Sequence, residues 1–274
     1  MNDLNDDKVH LEMLPTGKPH ISFSELATWL DCPFKHQLAY VQKLSVFDGN
    51  EHTFFGNHVH EGCEDFINTG VMPVEKVLTM ISDTWDKNLY KDKDSWVMQA
   101  KEICEELPGW MNKTFIEWEP LAAEALLYES LDHLGHPGNM WKGLVDATIK
   151  HKTKSGKSVI RILDWKTTGW GWRTAKLREF KTNAQAAAYK IFWSRKFDVE
   201  MNDIRAAFVL LKRTAKPGAK CQLIEVSVGP KMEQKVNSSI DKMLRAVKTG
   251  HAPKNRLSCQ YCDFKGTDHC PGSG

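Results

Sequence analysis

Not one arginine occurs in the first 149 residues of this 274-residue chain; all eight lie from Lys150 onward. With 11 lysines against 25 acidic residues that first stretch is strongly acidic, whereas the remainder carries 26 basic against 10 acidic residues. The near-neutral total of +2 conceals the asymmetry. Such a division points to a polyanion, most often nucleic acid, meeting one side of the molecule, although oppositely charged faces can also pair with each other. Also lacking is any apolar run of the roughly 18 residues needed to cross a bilayer. The opening MNDLNDDKVH has no basic flank leading into an apolar stretch, so no secretory leader is read there and a cytoplasmic location is expected. There is no internal repeat and no low-complexity tract. What is present is 41% hydrophobic residues, enough for a full core, which excludes disorder, collagen and coiled coil. The seven cysteines are odd in number, which argues for metal ligation or buried thiols over a disulfide framework.

Residues 1–20 are polar, hold Pro15, Gly17 and Pro19 and lack periodicity, so they read as a flexible tail. Order is expected from Ser22, where Ser22-Phe23-Ser24-Glu25 has the spacing of a capping box ahead of Leu26, Trp29 and Leu30. A second helix follows Pro33 through Phe34, Leu38 and Val41. From Thr53 to about Trp118 apolar residues such as Val77, Leu78, Ile81 and Trp85 recur at threes and fours, predicting a helical subdomain over 53–120. The texture then changes to β-formers at Ala125–Leu131, Trp141–Ile149 and Val159–Trp165. The polar run from His151 to Lys157 suits a hairpin connection. A helix over 181–195, strands at Ile204–Leu211 and Cys221–Val228, and a helix over 231–249 complete the order, which suggests a mixed sheet flanked by helices. The expected organisation is therefore one domain over 21–274, with an α/β core at 121–250 and a cysteine-bearing segment at 251–274.

A hairpin turning about Ser155 places Asp146 nine residues before that point and Asp164 nine after it, side by side on adjacent antiparallel strands. Lys166 shares the face of Asp164 by the period of two. Two carboxylates so close repel unless a cation lies between them, and hard oxygen ligands suit Mg²⁺ or Mn²⁺. A slip of one residue would instead leave an ordinary cross-strand surface pair. Gln185 and Tyr189 stand at i and i+4 on the following helix and can hydrogen-bond a phosphate or a base edge. A neutral imidazole from His60 can add a ligand, with His58 as rival. Glu129 can add a carboxylate, with Glu124 as rival.

Taken in order, Ser22 to Leu26 with Cys32-Pro33, Gly56 to Glu61, Gly143-Leu144-Val145-Asp146, Asp164-Trp165-Lys166-Thr167, Gln185 to Tyr189 and a terminal cysteine cluster resemble the RecB-type branch of the PD-(D/E)XK nuclease superfamily. That branch includes nuclease domains of bacterial recombination helicase-nucleases and free-standing CRISPR-associated exonucleases. The resemblance spans about residues 22 to 270. It implies an α/β, restriction-endonuclease-like core and a metal-dependent DNA exonuclease of the free-standing type, in a bacterial or phage-infected cell. Asp146 and Asp164 would bind the metal, with His60 and the Trp165 carbonyl as further ligands. Lys166 would be the catalytic lysine, and Glu129, Gln185 and Tyr189 would flank the reaction.

Cys259, Cys262 and Cys270 give three thiols within 12 residues and need a fourth ligand. The resemblance implies a four-iron, four-sulfur cluster closed by Cys32, stapling the helical N-terminal region to the C-terminus. A structural zinc using His269 or Cys32 is the alternative, and Cys63, Cys104 and Cys221 are read as core. For DNA binding the expected residues are Arg173, Lys176, Arg178 and Lys181. Trp170 and Trp172, on either side of Gly171, would either stack on bases or pack in the core. Two other functions remain in view: an accessory DNA-binding subunit of a larger complex, and a restriction-type endonuclease.

Overall fold

The computed structural model describes residues 10–45, 49–86 and 90–271. The chain divides into two compact units, each assembled from separated stretches: Met1–Phe47, Tyr128–Gly143 and Gln234–Gly274 in one, Asp48–Leu127 and Leu144–Glu233 in the other.

In the first unit a short strand β1 (His20–Ser22) runs parallel to Met140–Lys142, the opening residues of β3 (Met140–Lys152). Helix α1 (Phe23–Asp31) follows at once, its N-terminus capped by the Ser22 hydroxyl, which accepts from the Glu25 N–H at 3.3 Å. The Glu25 carboxylate goes to His36 Nε2 at 2.9 Å instead of closing the capping box, and both side chains are buried. Cys32 ends α1 in an extended conformation, Pro33 starts the one-turn α2 (Pro33–His36), and a π-helical turn, Gln37–Val41, continues it. The long α8 (Pro230–Thr249) belongs mainly to this unit.

Residues 10–19 differ from the expected tail, of which residues 1–9 lie outside the described residues. Leu14 and Thr16 are buried, and the Glu12 N–H donates to the Gly138 carbonyl at 2.9 Å. Gly138 permits that approach: it has φ +76°, and a β-carbon there would stand 2.5 Å from the His10 carbonyl oxygen. Low hydrophobicity hid this segment because its attachment runs through backbone groups.

The second unit opens with three helices, α3 (Glu51–Thr69), α4 (Val74–Asp83) and α5 (Lys93–Thr114). The helical stretch stops at Thr114, short of the expected Trp118, and β2 (Ile116–Ser130) starts well before the expected Ala125. Alternation in Ile116-Glu117-Trp118-Glu119 explains the difference: the acidic side chains reach Lys150 and Lys152 of β3 as cross-strand ion pairs. From β3 the chain turns into β4 (Ser158–Thr168), pairing antiparallel from Lys152↔Ser158 to Ala147↔Leu163. The register centre is Ser155, the turning point assumed for the hairpin. A short α6 (Thr174–Arg178), absent from the sequence reading, leads to α7 (Phe180–Phe197). That helix makes the crossover a parallel neighbour demands, and β5 (Ile204–Lys212) lies parallel to β4, with β6 (Cys221–Val226) antiparallel beyond it.

The sheet is thus mixed and covered on both faces, as the α/β reading required. Leu163, Trp165, Ala207 and Val209 face α3 to α5 in a large core that also buries Cys63, Cys104 and Cys221. The alternate residues Ala206, Phe208 and Leu210 form a second core with Ala186 of α7. By the strand period Asp164 and Lys166 belong to this second face, opposite the larger core.

Candidate active site

The β3–β4 ladder ends at Ala147↔Leu163, and Asp146 is the first residue beyond it. The carboxylate takes over where the ladder stops: Oδ2 accepts from the Trp165 N–H at 2.8 Å. This hydrogen bond fixes Asp146 beside the next residues of β4, Asp164 and Lys166. The Lys166 ammonium lies 2.7 Å from Asp164 Oδ2 and 5.9 Å from the centre of the Phe208 ring. Oδ2 is thus held in an ion pair with Lys166, while Oδ1 is buried without a hydrogen-bond partner among the described residues. A buried carboxylate oxygen in that state is costly and asks for a ligand.

His60, on α3, approaches from the other side, its Nδ1 3.8 Å from Asp146 Oδ2. The ring also meets the backbone of Trp165, and burial pushes its pKa down to about 4, so it is neutral and free to donate a lone pair near pH 7. His58, the rival, points away and bonds the Thr84 hydroxyl at 3.1 Å. Burial pushes Asp146 and Asp164 up to about 6 against the pull of Lys166. The effect is firmest for Asp164, whose side chain is 2% exposed against 24% for Asp146. Burial would lower the Lys166 pKa, but Asp164 and Asp146 outweigh it and hold the ammonium above the ordinary lysine range. On α7, Gln185 Nε2 donates to the Tyr189 hydroxyl at 3.1 Å. Burial, with Asp164 adding, pushes the Tyr189 pKa up, so this hydroxyl keeps its proton.

Glu129 is half-buried near the end of β2, and the charge of the exposed Glu124, on the same strand, bears on Asp146. Among the basic candidates Arg173, which precedes α6, and Arg178, its last residue, are exposed, Lys181 is half-buried, and Lys176 pairs with Glu179 at 3.2 Å. The two tryptophans separate: Trp170 is 71% exposed, while Trp172 packs on Phe208 at 5.1 Å between ring centres. Sequence spacing missed the Trp165 N–H as the anchor of Asp146, because a backbone donor leaves no mark in residue type.

Among the described residues no three His, Cys, Asp or Glu side chains are grouped as a ready-made metal cage. For Mg²⁺ or Mn²⁺ that is no obstacle, since Mg²⁺ is usually held by one or two carboxylates with waters and substrate oxygens completing the shell. The unpartnered Oδ1 of Asp164, with Asp146 beside it, fits such an ion. The four cysteines fit less directly. All are free thiols, partly exposed, in the first unit. Asn255 links the two chain ends: its N–H donates to Cys32 Sγ at 3.3 Å, and its carbonyl receives the Cys259 thiol at 3.9 Å. The donors are right for a cluster, but they are not drawn together to a metal's size.

None of the curated proteins matches the chain at a significant level. Among solved structures, a crystal structure from Eubacterium rectale, provisionally named an exonuclease, is similar with a TM-score of 0.55 and 14% identity, covering 90% of this chain and 88% of that one. At that identity the likeness shows a shared fold. The model of the PD-(D/E)XK nuclease superfamily matches residues 20–270, from the first residue of β1 to the last of the C-terminal cysteines. A match of that extent decides membership: the chain belongs to the PD-(D/E)XK nuclease superfamily.

Proposed function

We propose that this protein is a Mg²⁺- or Mn²⁺-dependent deoxyribonuclease that degrades DNA from its ends, working on single strands or duplex termini. Membership of the superfamily implies a hydrolase acting on nucleic acid; metal dependence and action at ends are the further steps of this reading. The observation that carries it is the buried Asp164, whose Oδ1 has no partner among the described residues and whose Oδ2 pairs with Lys166, beside Asp146. When bound, the ion would polarise the scissile phosphate and acidify a water. Asp146 and Asp164 would hold it, with Asp146 oriented by the Trp165 N–H. Neutral His60 and the Trp165 carbonyl are the further donors. Lys166, kept charged by the two carboxylates, would stabilise negative charge developing on the phosphate. Tyr189, which retains its proton, and Gln185 would hydrogen-bond the strand.

Action at ends is supported by the family resemblance and by the name of the Eubacterium rectale protein, which is an argument from fold. Asp164→Ala should abolish cleavage in Mg²⁺ and Mn²⁺ while leaving folding and DNA affinity largely intact. Lys166→Ala should be similarly defective. Assays on 5′- and 3′-labelled strands test both; a wild-type rate in the Asp164 variant would overturn the site. A four-iron cluster on Cys32, Cys259, Cys262 and Cys270 belongs to the same reading, with zinc as the alternative. Binding would have to draw the thiols together, as metals that couple to folding do. Iron and zinc analysis of anaerobically purified protein decides between them.

A further inference from the structure

The side of α3 that carries His60 continues through Gly56 to His52, residues four apart and so stacked along one face of the helix. Gly56 lies so close to β4 that a β-carbon there would stand 3.0 Å from the Thr167 hydroxyl oxygen. Where β4 ends, an open cleft of about 280 Å³ is lined by His52, Thr167, Thr168, Gly169 and Arg213. At the helical rise of 1.5 Å per residue, His52 lies about 12 Å along the axis from His60. The cleft therefore opens on the α3 side of β4, the side from which His60 reaches Asp146, while the neighbouring Lys166 projects from the other face of the strand.

Its chemistry is that of an anion site. Arg213 lies over the Trp96 ring, 4.0 Å from its centre. Nη1 donates to Gln99 Oε1 at 3.2 Å, and Nη2 donates to His52 Nδ1 at 3.1 Å. Neither partner carries negative charge, and a guanidinium has further N–H groups to give. Because His52 Nδ1 accepts from arginine, its proton belongs on Nε2, which makes the ring a donor as well. No lining residue is acidic; burial lowers the Arg213 pKa from its usual value, with Glu51 opposing. The rim is held in place, since the Thr168 hydroxyl donates to the Trp170 carbonyl at 2.7 Å and the Thr214 hydroxyl to the Gly169 carbonyl at 2.6 Å. Trp170, next to the lining Gly169, is the most exposed tryptophan of the second unit.

We propose that this cleft is a phosphate subsite, in which Arg213, His52 and Thr167 hold one phosphate of the DNA strand on the His60 side of the site, while Trp170 offers its face to an adjoining base. The inference deepens the nuclease reading and rests on it. The phosphate can be the one at a strand's end or one within the backbone, and the chemistry of recognition is shared. Fluorescent single strands bearing phosphate or hydroxyl at the 5′ or 3′ end, titrated into the full chain in EDTA, separate the sources. An end phosphate held here should tighten wild-type binding roughly tenfold at one terminus, and Arg213→Gln should lose that preference. A backbone phosphate should show no end preference, but one neutral methylphosphonate should weaken wild type roughly tenfold and leave Arg213→Gln unaffected. Thr167→Val, which keeps the shape of the side chain, should lose part of the same discrimination and serves where the Arg213 variant fails to fold. Equal responses of wild type and every folded variant to all end groups and all methylphosphonates would overturn the subsite. Cleavage of the same strands in Mn²⁺ is scored separately: a wild type that cuts nothing but discriminates through Arg213 would remove the nuclease reading and keep the phosphate site.

Discussion

Folding raises Asp146 and Asp164 from the ordinary 3.8 to about 6, so between those values the folded protein holds protons that the unfolded chain has released. The stability this contributes is present below the unfolded value and is lost as pH rises through about 6. Metal should reverse the loss by neutralising the ionised pair. We predict that Mn²⁺ raises the melting temperature more at about pH 8 than at about pH 5, because at the lower pH protons compete for the same oxygens. Calorimetric scans with EDTA and with Mn²⁺ at both values measure it, and equal shifts would contradict the assignment. The turning point at Ser155 was an assumption, since a slip of one residue leaves the same spacing, and the β3–β4 register centres there. What spacing could not carry is where the ladder stops, and that end is what turns Asp146 onto the Trp165 N–H.

Helix α3 brings His60 to the carboxylates and must therefore pack closely against its neighbours. At Gly62 a β-carbon would stand 2.4 Å from Val77 Cγ2 of α4. Gly62→Ala should accordingly destabilise the protein by about 1–3 kcal/mol, measured by urea unfolding. Helix α5 is tied to the β5–β6 connection in part through Glu106, whose carboxylate accepts from the N–H groups of Gly218, Lys220 and Cys221 at 2.6, 2.7 and 3.2 Å. Glu106→Ala leaves buried donors unsatisfied and should cost about 1–3 kcal/mol, while Mn²⁺ affinity at Asp164 stays the same. The helices α3, α7 and α8 were readable from periodicity over many residues. The β1 strand and α6 were not, because three and five residues are too few for a period to emerge, and their pairing is set by tertiary contact.

For the whole chain, the concentration of all eight arginines after Ile149 makes DNA affinity a matter of counterion release. Binding should fall steeply as salt rises; a dissociation constant that stays flat from low to moderate salt would contradict a phosphate-dominated interface. If the cysteines close on a cluster, Cys32 and Cys259 would cross-link about 226 intervening residues, a loop whose constraint is worth roughly 4–5 kcal/mol on the scale of long disulfides. Cys32→Ala should then lose bound iron and melt at a lower temperature. The assembly of the first unit from three separated stretches also has a consequence for synthesis. A ribosome delivers β1 and α1 long before the residues after Gln234 that complete their unit, so those early elements wait unsatisfied while Asp48–Leu127 and Leu144–Glu233 emerge. Non-local closure of this kind is slow and leaves apolar surface open to aggregation. Chains halted before α8 should need a chaperone to stay soluble.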